Sequence, residues 1–184
     1  MALPLEWNPR RAVESCDIVS LKQAVWRGHR RSYDALDHTG SLLRSARFHR
    51  APQEFAAQPT WPALYTALDL AVALGEMQRN VDPDALRHYR FTELWVQLEA
   101  VVDCRDLAAL GLDLADLFDD VDNSTPRTLA SAAVGLRVEG MLVPSATLMG
   151  GNLIIFPHLV RSSSVLVPVR SIDPMLAKRT AEQP

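Results

Sequence analysis

Residues 63–79, ALYTALDLAVALGEMQR, constrain the fold most tightly: a short strand passes into an apolar helix across one capping residue. Side chains alternate in ALYTAL (63–68), so Leu64 and Thr66 face one way and Tyr65 the other. Asp69 is placed as an N-cap, its carboxylate able to accept from the free backbone N–H groups of LAVALGEMQRN (70–80). Leu70, Ala73, Leu74 and Met77 recur at helical spacing and form the core stripe. Glu76 falls on the flank of that stripe, beside Val72 and Ala73. Two readings of it stand: a surface glutamate paired with Arg79 or Asn80, or a partly buried carboxylate facing a pocket lined by the preceding strand.

The rest of the chain supplies the partners of this unit. LKQAVWRGH (21–29) has the β-branched and aromatic content of a strand, with Arg27 near its end. His38-Thr39-Gly40 reads as a turn, and APQEFAAQPTWP (51–62) as a proline-rich loop. FTELWVQLEAVVDC (91–104) is a third strand, long enough to lie near the sheet centre. DLAALGLDLADLFDDVDNS (106–124) mixes leucines at helical spacing with aspartates, which predicts short helices on an acidic surface. It lacks the glycine and glutamate that an EF-hand calcium loop requires. TPRTLASAAVGLRVEG (125–140) predicts a helix with Thr125 as N-cap, Pro126 at its first position and Gly140 beyond its end. GMLVPSA, NLIIFPH and SVLVPV are strand candidates, with MGGN (149–152) as the turn between the first two. The tail DPMLAKRTAEQP starts as a short helix. Strands and helices interleave without a regular βαβ repeat, so the expected fold is α+β: one domain over residues 1–184, a twisted mixed sheet with flanking helices.

A formal net charge of −3 conceals an asymmetry, since the first fifty residues hold nine Lys or Arg against five Asp or Glu. Seventeen of the nineteen basic residues are Arg, whose planar fork suits phosphate or carboxylate, although on composition alone a solvated basic face is the simpler reading. The arginines between Arg27 and Arg50, interleaved with Trp26 and Phe48, also admit a nucleic-acid reading. Cys16 and Cys104 are far apart in sequence and read as reduced core residues. No leader-like start and no apolar run of roughly 18 residues is present, so a cytoplasmic location and no membrane contact are expected. P-loop, dinucleotide-binding GxGxxG, HExxH and GxSxG patterns are absent, and the histidines lack metal-ligand spacing.

Four short motifs occur in a fixed order: WRGH (26–29), ARFH (46–49), ALYTAL followed by ALGE (63–76), and VPSA before GGNLIIF (143–156). In that order they resemble the RES-domain family over about residues 23–170, the family's Arg, Glu and Ser being matched by Arg27, Glu76 and Ser145. The resemblance implies an ADP-ribosyltransferase-like fold and a toxin that cleaves the nicotinamide–ribose bond of NAD, by phosphorolysis, hydrolysis or transfer of ADP-ribose to a protein. It further implies Arg27, Glu76 and Ser145 as catalytic residues, with Arg47, Tyr65 and His49 binding NAD. NAD is then the substrate, no metal is required, and a helix-turn-helix antitoxin is the partner, with phosphate or a protein as acceptor. Nucleic acid would be met only through that antitoxin. The chain differs from the family pattern at Ala46, where glycine is common, and at Thr147, where arginine often follows the serine and alanine. A second function is therefore carried alongside: a catalytically altered module that binds NAD or ADP-ribose and acts through a protein partner.

Overall fold

The computed structural model describes residues 7–119, 121–147 and 150–181, so Met149 of the expected turn and the end of the tail lie outside the described residues. Its strands are β1 (Ile18–Arg30), β2 (Leu64–Ala67), β3 (Tyr89–Asp103), β4 (Gly140–Pro144), β5 (Gly151–Ile155) and β6 (Val165–Ile172). They form a sheet in the order β1-β2-β5-β4-β3-β6, and β1 also pairs with β3, which closes β1, β2, β5, β4 and β3 into a ring. The β3–β4 pair is parallel and the other pairs are antiparallel, so the sheet is mixed as expected. Each ring strand sends side chains into one cluster: Val25, Leu64, Leu94, Leu142 and Leu153 meet there, with Val96, Leu98 and Val101.

That β3 serves two cores follows from a bulge. Val19 pairs with Val101 but Leu21 with Leu98, so Glu99 and Ala100 of β3 together oppose Ser20 of β1. The extra residue reverses the side-chain alternation. Leu98 and Val101 both face the ring interior, while Ala100 and Val102 join a second core with Leu129, Ala130 and Ala133.

A buried carboxylate holds the bulge. Glu139 is 0% exposed. Its Oε2 accepts from Glu99 N at 2.6 Å and Ala100 N at 3.0 Å, and its Oε1 from Arg161 N at 2.9 Å. Its own backbone N donates to Ala100 O, and its carbonyl accepts from Phe156 N, both at 2.8 Å. Burial alone would raise its pKa, but Arg161 N, the Ser164 hydroxyl and the Ala100 and Glu99 amides together outweigh that cost and the net shift is downward.

The helices are α1 (Pro9–Glu14), α2 (Gly40–Leu43), α3 (Leu70–Asn80), α4 (Leu114–Phe118), α5 (Ser124–Gly135) and α6 (Pro174–Ala181). α5 corrects the expected helix over 125–140. Its N-cap is Asn123, not Thr125, and it ends at Gly135, with Arg137 in the left-handed region at φ 58°. The chain must leave the helix there to bury Glu139. Gly140 is a strand residue rather than a helix stop, for a Cβ on it would lie 2.8 Å from Ile154 O across the β4–β5 pair. Arg27 lies three residues before the last residue of β1, close to its expected place near the strand end. Cys104 is buried and its sulfur lies 4.0 Å from that of Cys16; both are free thiols. Among the described residues no helix is long and apolar enough to cross a membrane.

Replacing Glu139 by Ala leaves three backbone donors unpaired in the interior and should cost about 3 kcal/mol or more. Urea denaturation should show it as a lower midpoint with little change in slope. Because the folded pKa lies below the ordinary 4.5, this carboxylate's stabilisation is complete above about pH 4.5 and lost as pH falls further. The wild type should therefore show an acid-dependent loss of stability that Glu139→Gln reduces.

Candidate functional site

A cleft of about 670 Å³ opens on the sheet face beneath α3. Its floor follows from strand alternation: Trp26 and Gly28 come from β1, Tyr65 and Ala67 from β2, Asn152 and Ile154 from β5. Register sets the floor in order, since Tyr65 pairs with Ile154 and Ala67 with Asn152. One wall is α3, which presents Glu76, Met77, Arg79 and Asn80; the other carries Arg47, Phe48, Phe118 and Asn123.

α3 starts as its sequence dictates. Asp69 is extended, and its side chain accepts from Val72 N at 2.8 Å, a cap that stabilises such a helix by about 1 kcal/mol. Leu70, Ala73 and Leu74 are buried as the stripe requires, joined by Val72, and Met77 packs against the same cluster. Two glycines allow the helix to come close. A Cβ on Gly28 would stand 2.6 Å from Met77 Cγ, and one on Gly75 would stand 2.8 Å from Thr147 Cγ2.

That second approach brings the loop after β4 against Glu76. Oε1 of Glu76 accepts three hydrogen bonds: from Ser145 Oγ at 2.7 Å, Asn152 Nδ2 at 2.9 Å and Ala146 N at 3.0 Å. Among the described residues no donor reaches Oε2, and Glu76 lines the cleft. The surface pairing expected as one alternative does not form through the carboxylate. Arg79 donates instead to Ala146 O at 2.7 Å, and Asn80 to the backbone carbonyl of Glu76 at 2.7 Å.

Ser145 is 1% exposed and does not line the cleft. Its hydroxyl proton goes to Glu76, and its oxygen accepts from Thr147 N at 3.1 Å and lies 2.7 Å from Thr147 Oγ1. It thus holds Glu76 from behind. Tyr65 places its ring in the cleft and its hydroxyl away from it. Phe48 N donates to Tyr65 Oη at 2.9 Å, and His49 Nδ1 lies 2.9 Å from the same oxygen. His49 Nε2 faces Arg44 O at 2.8 Å, and a carbonyl only accepts, so Nε2 carries the proton and Nδ1 accepts from Tyr65. Burial raises the Tyr65 pKa and lowers that of His49, so both are neutral near pH 7. His49 is buried and holds Tyr65 without lining the cleft.

Arg47 lines the cleft. Its Nη1 donates to Leu117 O at 2.6 Å, and its guanidinium lies 5.1 Å from the Phe118 ring centre. Arg27 does not line it. Alternation along β1 turns Arg27 to the opposite face from Trp26 and Gly28, where Nη1 donates to Ala35 O and Nη2 to Asp37 O, each at 2.6 Å. Desolvation there pulls its pKa down to about 10, against the opposing pull of Asp37 and Asp34. Arg27, implied as a catalytic residue by the family resemblance, is thus not brought together with Glu76 in the cleft; in this structure it fixes the 31–40 segment. The structure adds residues the sequence reading missed, chiefly Asn152, Arg79, Trp26 and Phe118. Asn152 had one local signal, an amide alternating with Ile154 on the face that carries Tyr65. Among the described residues no group of three His, Cys, Asp or Glu is placed to hold a metal ion.

Tyr65→Phe keeps the ring but leaves Phe48 N and His49 Nδ1 without their partner, and should cost about 1–3 kcal/mol in chemical denaturation. His29, His49 and His158 all have pKa values lowered from the ordinary 6.5, chiefly by burial. Their contribution is present above pH 6.5 and lost as pH falls below it, because the unfolded chain binds the protons first. Denaturation midpoints should therefore drop between pH 7 and pH 5, with a shallower slope in His49→Asn.

No curated protein matches the chain. Among solved structures it is similar to a chain of the crystal structure of the M. tuberculosis MbcT–MbcA toxin–antitoxin complex. The TM-score is 0.78 at 21% identity, covering 95% of this chain and 97% of that one. Residues 24–174 match the model of the RES domain, a span that takes in the whole cleft from Trp26 to Ile154. This chain belongs to the RES domain family.

Proposed function

We propose that this chain is the toxin of a toxin–antitoxin pair and cleaves the bond between nicotinamide and ribose in NAD. The observation that carries this reading is the Glu76 carboxylate, tethered through Oε1 by three donors and lining a cleft large enough for a dinucleotide. When that bond breaks, the electron pair leaves with nicotinamide and positive charge develops on the ribose. A fixed carboxylate beside the ribose stabilises this charge more than the neutral ground state, and its three hydrogen bonds prevent it from swinging away. Ser145, Ala146 N and Asn152 act as positioning groups. The rings of Tyr65 and Trp26 offer flat walls for nicotinamide, and Arg47 suits the pyrophosphate through its fork. Water, phosphate or an acceptor protein then attacks the ribose from the open side.

The partner reading rests on the family and on the structural neighbour, which was solved as a toxin–antitoxin complex. We place a helix-turn-helix antitoxin opposite this chain in the cytoplasm, where NAD is available.

Purified protein incubated with NAD, with and without phosphate, should release nicotinamide. Glu76→Gln should lower that rate by about a hundredfold or more with little loss of stability. Asn152→Ala should lower kcat by about tenfold while leaving KM nearly unchanged, as expected for a residue that acts through Glu76. Absence of nicotinamide release in every condition, with NAD bound intact by calorimetry, would support the non-catalytic binding module instead.

A further inference from the structure

A second cavity, of about 310 Å³, lies on another part of the surface, between the start of α1, α5 and Arg50. Arg10, Arg50, Thr128 and Ser131 line it, and among the described residues no carboxylate does. The Arg50 side chain is held there by stacking. Its guanidinium lies 5.5 Å from the Trp61 ring centre and 5.6 Å from that of Phe55, so two aromatic faces fix its plane. Its Nε is buried with no hydrogen-bond partner, so a ligand in the cavity would meet the guanidinium through its Nη groups, to which no hydrogen bond or ion pair is assigned among the described residues. An arginine fork stacked in one orientation and lacking an acceptor is preorganised for an oxyanion.

The remaining lining groups match. Thr128 and Ser131 are one helical turn apart on α5, and among the described residues neither hydroxyl is engaged. Arg10 lines the cavity with its Nε paired to Glu14 at 2.7 Å, so only its Nη groups remain for a ligand. Two guanidinium groups and two hydroxyls surpass what the two oxygens of a carboxylate can satisfy, whereas a phosphate offers more acceptors and a second charge.

We propose that this cavity is a binding site for a compact phosphate-class oxyanion, either free orthophosphate or the phosphoryl group of a phosphomonoester. The site is distinct from the Glu76 cleft but connected to its wall. The carbonyl of Arg50 accepts from Trp61 N at 3.2 Å, Trp61 Nε1 donates to Phe48 O at 2.9 Å, and Phe48 N holds Tyr65. An occupant that fixes Arg50 therefore stiffens the segment that carries Arg47, Phe48 and His49.

The test is a titration of the ¹⁵N-labelled full chain, followed by amide correlation spectra, with orthophosphate in one arm, AMP in another and chloride at matched ionic strength as control. Saturable shifts of the Arg50, Thr128 and Ser131 amides with either phosphate probe, absent with chloride, are expected, and the arm that binds more tightly identifies the source. Arg50→Gln should weaken binding by about tenfold or more. Should that variant fold poorly, Thr128→Val/Ser131→Ala, which keeps the aromatic stack, should weaken it severalfold. Glu76→Gln should leave these shifts unchanged, so the outcome is independent of NAD cleavage. No saturable shift with either probe, shifts confined to cleft residues such as Glu76 and Asn152, or an equal response to chloride would overturn the proposal.

Discussion

The buried carboxylate of Glu139 is the interaction on which the rest of the structure depends. A bulge leaves Glu99 and Ala100 of the longest strand with backbone donors that the β1 ladder cannot pair, and Glu139 accepts from both while also holding Arg161 N. With the bulge fixed, β3 turns Leu94, Val96, Leu98 and Val101 into the ring and Ala100 and Val102 toward α5. Without it the alternation would place one of these sets in the wrong core. The price of a charge in the interior is met by three short hydrogen bonds from backbone groups that would otherwise have no acceptor.

Closure of the ring then determines what the cleft contains. Because β2 and β5 pair with one another and β2 also meets β1 at Trp26 and Ala67, three strands lay Trp26, Tyr65 and Asn152 on one floor. The helix that follows β2 runs over this floor, and Gly75 lets it approach the loop at Thr147 closely enough for Glu76 to reach Ser145 and Asn152. The result is a carboxylate held through one oxygen, opposite an aromatic ring whose own hydroxyl is committed to Phe48 and His49. Both groups are fixed before any ligand arrives, which is the condition for electrostatic stabilisation of a transient cation.

Much of this was legible in the chain because it is local. The Asp69 cap, the stripe from Leu70 to Leu74 and the side of the helix on which Glu76 falls all follow from spacings within one helix, and the structure has them. The order of motifs around Arg27, Glu76 and Ser145 indicated the family. Contacts between distant segments were not legible. Asn152 reaches Glu76 across 76 residues, and Arg79 was free on paper to pair with Glu76 but goes to Ala146 instead. Helix α5 ends at Gly135, earlier than its capping pattern suggests; nothing in VGLRVEG announces that its glutamate is to be buried. The motif that carries Arg27 does not say which sheet face it takes; strand alternation relative to Trp26 puts it on the face opposite the cleft. Thr147, where the family resemblance leads one to expect arginine, here supports Ser145 and packs on Gly75.

The central claim is that Glu76, gripped by Ser145, Ala146 and Asn152, meets the reacting ribose. A crystal structure of the Glu76→Gln variant with intact NAD bound tests it most directly. The account predicts the nicotinamide ribose in contact with the side chain at position 76, nicotinamide against Tyr65 or Trp26, and the pyrophosphate near Arg47. A dinucleotide bound with its nicotinamide ribose remote from residue 76, or bound outside the cleft altogether, would contradict it.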